Sequence, residues 1–245
     1  MEIIRSEILS RYPQIVFGMS TRHGGVSGGN LGLNLSFNVG DDKVNVIENR
    51  GRFFGALHIG LDELAFPIQC HSNTVRTVAT WGGYENCDGL VTQELGVFLV
   101  VSVADCVPIF LFDPVTKTAA GIHAGWRGTS AAIAANAVSV MKNSFGVNPE
   151  NVVGFVGPSA GKCCYRVGEE VTALFKPEFV VDLPDGGRSV DLKMANVAML
   201  EESGVSPAKI EVHSGCTIHE KEIYHSHRRD GRTSGRMMSV IGIVR

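Results

Sequence analysis

The sequence has no apolar run of the roughly 18 residues that a membrane-spanning helix needs, and it has no C-x-x-C pair. Its first residues, MEIIR, lack the basic start and apolar stretch of a secretory signal peptide. These absences argue against a membrane protein, a zinc ribbon and a thioredoxin-type redox motif. We therefore expect a cytoplasmic protein whose six cysteines are thiols or ligands rather than structural disulfides.

The chain also lacks an excess of positive charge. It has 22 Lys and Arg against 25 Asp and Glu, for a formal net charge of −3, which argues against nucleic acid as the main partner. Its 245 residues, 44% of them hydrophobic, are enough to bury a sizeable core. No repeat or linker divides them. A chain of this length fits one larger domain or two small ones, and we expect a monomer or a homodimer that acts on a small molecule.

Short apolar runs alternate with helical patterns along the chain. The clearest strand predictions are 97–103, 107–112, 118–123 and 151–156. Pro108 indicates an edge or an irregularity in the second of these strands. This interleaving predicts an α/β or α+β fold with mixed β-sheets.

Two helices are predicted from capping residues and apolar spacing. Asp42, or its neighbour Asp41, caps a helix that runs to about residue 57, and Thr129 caps an Ala-rich helix that runs to about residue 145. The apolar face expected to be buried in the first helix consists of Val44, Ile47, Phe54 and Leu57.

A cysteine and a histidine lie at the ends of neighbouring predicted strands. Cys106 follows Asp105 where one strand breaks, and His123 ends the run 118–123. Each alone is typical of a core residue, but a thiolate beside an imidazole forms either a metal site or a nucleophilic site. His71, in the turn QCHSN, adds a third donor, and two His with one Cys suit a catalytic zinc site. Asp105 is costly to bury without a partner, which makes it a candidate to carry a proton or orient a ligand.

Several arginines are candidates for binding an anion. Arg127 and Trp126 lie in a Gly-punctuated loop behind His123, where a guanidinium suits phosphate oxygens and an indole suits a flat ring. The other candidates for binding an anion are Arg228 and Arg229 in YHSHRRDGR and Arg22 in the N-terminal Gly-rich loop. The His225 and His227 side chains would share one face if this segment were a strand.

Ten short motifs, in order, resemble those of the YfiH family, also called the laccase-domain or polyphenol oxidase family. The resemblance spans the chain from about residue 18 to the end. The motifs are STRHGGVS (20–27), NVGDD (38–42), ENR (48–50), QCH (69–71), CDGL (87–90), ADCVP (104–108), HAGWRG (123–128), GP (157–158), RRDG (228–231) and SGR (234–236).

The resemblance implies an α/β (α+β) fold, a single domain over residues 1–245 of layered mixed β-sheets flanked by helices. It also implies a zinc site whose ligands correspond to His71, Cys106 and His123. Family members are described as purine nucleoside phosphorylases that convert adenosine, inosine, guanosine or methylthioadenosine and phosphate into base and ribose 1-phosphate, and that also deaminate adenosine. Older naming calls them copper polyphenol oxidases, so copper is the alternative metal. The chain departs from the family pattern at Cys70, which offers a competing thiolate.

Three other functions stay open. A metal-free hydrolase would use Cys106 as nucleophile and His123 as base, with Asp105 or a loop amide as orienter, on an amide such as one in a peptidoglycan precursor. A copper-dependent polyphenol oxidase needs several copper centres and many histidines, and the chain has eight. A non-enzymatic metal-binding protein would hold zinc without turning over a nucleoside.

Overall fold

The computed structural model describes residues 1–244. The strands in this range are β1 (Ile3–Ile4), β2 (Ile15–Ser20), β3 (Leu64–Ile68), β4 (Val75–Thr77), β5 (Gly82–Glu85), β6 (Gly89–Thr92), β7 (Phe98–Val103), β8 (Val107–Asp113), β9 (Thr118–Ala124), β10 (Val153–Val156), β11 (Arg166–Val167), β12 (Val180–Asp182), β13 (Arg188–Val190), β14 (Ile210–Val212) and β15 (Met237–Ile243). The α-helices are α1 (Lys43–Gly55), α2 (Trp126–Ser130), α3 (Ile133–Phe145), α4 (Glu169–Thr172), α5 (Leu192–Glu202) and α6 (His227–Asp230). None of these helices combines the length and apolar composition of a transmembrane span.

Two six-stranded mixed sheets form the centre of the fold. Their strand orders are β1-β2-β15-β7-β3-β5 and β14-β10-β8-β9-β6-β4, and a small third sheet has the order β11-β13-β12. In the first sheet β3 runs parallel to β5 and β7, whereas β15 is antiparallel to β2 and β7. The predicted α/β fold of layered mixed sheets is confirmed.

The two large sheets pack face to face, and helices cover their outer faces. Between the sheets, the ring of Phe17 on β2 meets Phe110 on β8 at 5.1 Å and Phe155 on β10 at 5.0 Å, both edge to face. Alternate β8 residues such as Ile109 and Leu111 point the other way, into a core shared with α3 and α5. Because both faces of β8 are covered, every residue in it is buried.

Helix α1 begins as predicted but buries a different face. The Asp42 side chain accepts the N–H of Val44 at 2.8 Å, which confirms the cap. Val44 and Ile47 are, however, 71% and 56% exposed, so the prediction that they are buried is wrong. The buried face instead contains Asn49, whose amide donates to Ser27 Oγ and to two loop carbonyls. A hydrophobic pattern does not reveal a polar residue buried for its hydrogen bonds.

Pro108 lies in a central strand, not at an edge. Strand β8 lies between β9 and β10, so the prediction of an edge is wrong. Pairing of β8 with β10 extends only to Ile109, opposite Val156. Pro108 lies one residue beyond, where its carbonyl accepts the N–H of Gly157 at 2.9 Å. The missing proline N–H is tolerated because the ladder with β10 has already ended there.

The predicted cap of the Ala-rich helix is wrong. Thr129 does not cap the long helix but lies inside the short α2, and its Oγ1 accepts the side-chain amide of Asn196 at 2.9 Å. The long helix α3 begins at Ile133, directly after Ala132, and Ala132 has a left-handed conformation with a φ of 59°. The histidines near residue 225 are not on a strand, because Ser226 caps α6 by accepting the N–H of Arg229 at 3.2 Å.

Candidate metal centre

The three predicted metal ligands come together at one end of the sandwich. Donor atoms of His71, Cys106 and His123 all lie within 4.8 Å of one another. Cys106 Sγ is 3.9 Å from His71 Nε2, and the two imidazole rings meet at 81° with centroids 4.9 Å apart. Cys70, the possible competing thiolate, does not belong to this group.

Three separate elements place these donors. Cys106 directly precedes β8, and His123 is on the neighbouring strand β9, where it pairs with Pro108 of β8. His71 lies in the turn between β3 and β4 with a φ of 61°, an uncommon conformation for a residue other than glycine. The Gln69 side chain fixes this turn, because it donates to the Ser102 carbonyl and accepts the Ser102 N–H, both at 2.9 Å.

A buried carboxylate, which the sequence analysis did not assign, organises two of the three donors. Asp88 accepts the backbone N–H groups of Cys70, His71 and Ser72 at 3.2, 3.0 and 2.7 Å. Its Oδ1 is also 2.8 Å from Nδ1 of His123. Burial would raise the pKa of Asp88, but the hydrogen bonds from His123 and Ser72 hold it well below the usual range. Nε2 of His123 is therefore the nitrogen left free to bind a metal.

The electrostatics of the cluster favour a thiolate. Burial would raise the pKa of the Cys106 thiol, but the adjacent His123 and His71 lower it. Burial would likewise lower the pKa of His123, but Cys106 and the Asp88 carboxylate raise it. A thiolate is the form of cysteine that binds a metal or attacks a carbon centre.

The donor set fits a zinc ion with an open coordination position. One thiolate and two imidazoles are ligands that zinc accepts in catalytic sites. Gly125 leaves room for them, because a Cβ there would lie 3.0 Å from Cδ2 of His71 and 3.1 Å from Sγ of Cys106. A larger residue would crowd both donors.

The three donors open into a cleft of about 840 Å³. Aromatic side chains and arginines line this cleft, and the sequence analysis had assigned only some of them. The lining includes Phe37, Phe66, Trp126, Tyr165, Arg50, Arg127, Arg228, Arg236, His227 and Asp105.

Arg50 was not predicted as a site residue. Its guanidinium lies 4.4 Å from the Phe37 ring centroid and 5.2 Å from that of Phe66, and its Nε donates to the Leu35 carbonyl at 2.8 Å. Burial lowers the pKa of Arg50 to about 10, so the group is a partly desolvated cation at neutral pH. The sequence offered one signal for it, the adjacent polar residues Asn49 and Arg50 in the motif ENR, which a search for apolar spacing does not detect.

Asp105 and Arg228 connect the cysteine turn to α6. The Asp105 carboxylate accepts the Thr217 hydroxyl at 2.7 Å and the backbone N–H of Arg228 at 2.6 Å. The φ of Asp105 is 95°, a strained value for a residue with a side chain. Because both carboxylate oxygens already accept hydrogen bonds, the geometry favours a positioning role for Asp105 over proton transfer. The Arg228 guanidinium stacks 4.9 Å from the Tyr165 ring centroid, in the cleft.

The remaining predicted substrate-binding residues divide into two groups. Trp126 and Arg127 line the cleft, with the guanidinium 4.2 Å from the indole centroid. Arg22 and Arg229 are absent from its lining. Arg22 donates to the carbonyls of residues 221 and 30, and Arg229 pairs with Asp230 at 2.7 Å. Both hold loops together rather than face the cleft.

Two features define the class of this protein. It is an α/β domain built around two large sheets, and it has a Cys/His/His centre in a cleft lined by arginines. The chain belongs to the family described as multi-copper polyphenol oxidoreductase laccase, which matches residues 16–244, so the predicted laccase-domain membership is confirmed. It is 35% identical to a protein named purine nucleoside phosphorylase YlmD from Geobacillus stearothermophilus, over 93% of this chain and 89% of that one. It is 36% identical to a protein from an unknown prokaryotic organism named adenosine deaminase RL5, over 92% and 93%. The crystal structure of YlmD from G. stearothermophilus superposes with a TM-score of 0.93 at 32% identity, covering 100% of this chain and 97% of that one.

Proposed function

We propose that this protein is a zinc-dependent purine nucleoside phosphorylase that also deaminates adenosine. It would convert adenosine, inosine, guanosine or methylthioadenosine and phosphate into the base and ribose 1-phosphate. The observation that carries this proposal is the position of the His71, Cys106 and His123 donors in a cleft lined by arginines. The names of the relatives, a purine nucleoside phosphorylase and an adenosine deaminase, support it.

The cleft has the size and chemistry for both substrates. Its volume of about 840 Å³ lies within the usual range for small-molecule sites. The rings of Phe37, Phe66 and Trp126 offer flat apolar surfaces to a purine. Arg50, Arg127, Arg228 and Arg236 surround the same space with positive charge, which suits phosphate oxygens.

The metal ligands, Asp88 and the arginines of the cleft would each have a separate role in the reaction. Nε2 of His71, Sγ of Cys106 and Nε2 of His123 would hold zinc, and Asp88 would keep His123 in the tautomer that presents Nε2. When bound, zinc supplies a Lewis acid that polarises an oxygen in its open position. The arginines hold hydrogen phosphate beside the sugar carbon. A phosphate oxygen forms the new bond to this carbon as the bond to the purine nitrogen breaks, and the departing base takes up the proton that the phosphate gives up. Holding both reactants in one cleft removes most of the entropic cost of their encounter.

The test compares metal-free and zinc-reconstituted protein with each of the four nucleosides and phosphate. Zinc is expected to restore formation of base and ribose 1-phosphate, and to restore ammonia release from adenosine without phosphate. Cys106→Ala and His71→Ala should lose zinc and both activities, whereas His219→Ala, at an exposed histidine outside the cleft, should retain them. Zinc-loaded wild-type protein that turns over none of these nucleosides, or a fully active Cys106→Ala protein, would contradict the proposal.

A second function is favoured by one observation. The buried Asp88–His123 hydrogen bond of 2.8 Å, beside a thiol with a lowered pKa, is also the arrangement of a nucleophile, a base and an orienting acid. In this reading Cys106 attacks an amide carbon, and Asp88 orients His123 in place of the predicted Asp105. A chelator abolishes the first function and spares the second, whereas iodoacetamide inactivation of a metal-free, amide-cleaving protein would establish the second. Metal analysis of the active protein distinguishes zinc from copper.

A further inference from the structure

A second cluster of metal-binding side chains lies outside the cleft. Sulfur atoms of Cys163, Cys164 and Cys216 are all within 4.8 Å of one another. Cys163 and Cys164 line a separate cavity of about 310 Å³, together with Arg166 and the loop around Asp185. The proposed nucleoside chemistry uses none of these thiols, so the cluster requires its own explanation.

Backbone hydrogen bonds hold the two segments that carry the thiols. The Cys164 N–H donates to the Gly161 carbonyl at 2.9 Å, which turns the chain so that Sγ of Cys163 lies 3.4 Å from Sγ of Cys164. Cys216 comes from a distant segment that is tied to the first, because the Thr217 N–H donates to the Ser159 carbonyl at 3.0 Å. The three sulfurs are therefore preorganised by the fold rather than placed by chance on a surface.

The space between the sulfurs is kept open. A Cβ at Gly161 would lie 3.1 Å from Sγ of Cys216 and 3.3 Å from Sγ of Cys163. The Gly161 N–H also donates to Sγ of Cys216 at 3.2 Å. A hydrogen bond from an amide stabilises a thiolate more than a thiol, so Cys216 is prepared to bind as an anion.

A buried cation offsets the negative charge of such a cluster. Nζ of Lys193 donates to the carbonyl of Gly215, directly before Cys216, at 3.0 Å, and to the carbonyls of His213 and Ser214. Within residues 1–244, the one carboxylate that lines the small cavity, that of Asp185, is already paired with Arg166. The donors left for a metal are therefore three sulfurs.

We propose that Cys163, Cys164 and Cys216 form a thiolate site for a soft monovalent metal ion, Cu⁺. Thiolates select Cu⁺ and Zn²⁺ over harder cations. A metal about 2.3 Å from each sulfur holds the sulfurs about 4 Å apart, which the spacing of this cluster permits. Three sulfurs complete the coordination of a trigonal Cu⁺, whereas Zn²⁺ would need a fourth ligand from solvent. The accessible Cys163 gives the ion a way in from solvent.

The test uses protein that is fully reduced and whose Cys106 site is first loaded with zinc. Cu⁺ is delivered from a chromogenic Cu⁺ chelator of known affinity, and the thiols are then alkylated and identified by peptide mass spectrometry. One Cu⁺ is expected to bind and to protect Cys163 and Cys164, while the exposed Cys70 stays reactive. Cys163→Ser and Cys216→Ser should each weaken Cu⁺ binding by at least about 100-fold, and Cys70→Ser should leave it unchanged.

Three results would overturn this site. They are equal protection of Cys70, wild-type Cu⁺ affinity in both Cys163→Ser and Cys216→Ser, and preferential occupation of the cluster by Zn²⁺ in a competition between the two metals. Cys216 is buried, so Cys216→Ser could fail to fold. Cys163 is exposed, so Cys163→Ser is expected to fold and tests the site in either case. Nucleoside turnover by zinc-loaded Cys163→Ser should equal that of wild type, which keeps this test separate from that of the proposed function.

Discussion

Asp88 Oδ1 lies 2.8 Å from Nδ1 of His123, and the same carboxylate caps the backbone of the turn that carries His71. One fully buried acid thus fixes two of the three donors, which come from segments 52 residues apart in the chain (123 − 71). The third donor, Cys106, is placed independently at the start of β8. The geometry of the centre therefore depends on a residue that does not touch the metal position.

Replacing this acid should loosen the centre without removing a ligand. Asp88→Asn keeps the size of the side chain. Its NH₂ group is a donor, however, and would face N–H groups that now donate to the carboxylate, so some of these hydrogen bonds are lost. We expect zinc affinity to fall by about 10–100-fold, as found for carboxylates that orient ligating histidines. Competition with a chromogenic zinc chelator measures the change.

Asp113→Asn is the matched control. Asp113 is also fully buried and caps a turn, accepting the N–H of Val115 at 3.0 Å and the hydroxyl of Thr116 at 2.7 Å. This variant should lose stability but keep wild-type zinc affinity. If the two variants lost zinc equally, the effect of Asp88 would be one of general stability and not of ligand orientation.

The space around the donors provides a second test. In Gly125→Ala the new methyl group would lie 3.0–3.1 Å from the His71 ring and the Cys106 sulfur. The φ of Gly125 is −75°, so alanine fits the backbone and only the donors are disturbed. Zinc affinity should fall by about 10-fold or more, the scale expected when the supporting geometry of a metal site is disturbed.

Gly55→Ala, at the last residue of α1, serves as the control because a Cβ there meets nothing within 4 Å. It should bind zinc as wild type does and gain up to about 1 kcal/mol in the free energy of unfolding, since alanine is the better helix former. Wild-type zinc affinity in Gly125→Ala would show that the donors do not occupy these positions when the metal is bound.

The site was predictable from the sequence where chemistry alone identifies a residue. Cys106 and His123 could be paired because each ends an apolar run, and adjacent strands brought their ends together. Asp88 could not be identified in this way, because its role depends on hydrogen bonds to a turn 16–18 residues earlier. Its motif CDGL carried the resemblance but no chemical assignment.

The arginines show the same limit. All candidates have the same side chain, and only the fold separates those that face the cleft from those that lie away from it. Arg22, Arg50, Arg229 and Arg236 all donate to backbone carbonyls. Of these four, Arg50 and Arg236 also line the cleft, whereas the other two do not. Apolar periodicity predicted the strands well because burial on two faces leaves long hydrophobic runs, but it says nothing about the direction of a polar side chain.

Arg50 is expected to bind substrate. Its guanidinium is held between Phe37 and Phe66 at the cleft, so the charge is preorganised and partly desolvated. Arg50→Lys keeps the charge but loses the planar fork and the stacking. A lost hydrogen bond to a charged group costs about 1.5–3 kcal/mol, so kcat/KM for phosphorolysis should fall by about 10–100-fold.

Arg52→Lys is the control for this change, because Arg52 is on the same helix but pairs with Glu48 at the surface. Saturation curves for phosphate and for the nucleoside show which substrate Arg50 contacts, since the KM of that substrate should rise most. Equal kinetic constants for Arg50→Lys, Arg52→Lys and wild type would exclude Arg50 from substrate binding.

His225 should make the protein less stable in mild acid. Its ring is fully buried. Burial, reinforced by the positive charges of Arg22 and Arg236 and opposed by Asp230 and by a backbone hydrogen bond at Leu33, lowers the pKa of His225 to about 3. The folded protein therefore keeps this histidine neutral, while the unfolded chain takes up a proton below about pH 6.5.

In mild acid the unfolded chain binds one more proton at this residue than the folded protein does, so acid favours unfolding. The free energy of unfolding should fall as the pH drops from about 6.5 toward 3, and His225 alone accounts for about 2 kcal/mol of the loss by pH 5. Denaturant unfolding of metal-free wild type and His225→Gln isolates this contribution, because other titrating groups act in both proteins. The stability of the variant relative to wild type should rise by that amount between pH 7 and pH 5. His219→Gln, at an exposed site, should follow the wild-type curve, and parallel curves for wild type and His225→Gln would show that His225 is not held neutral by the fold.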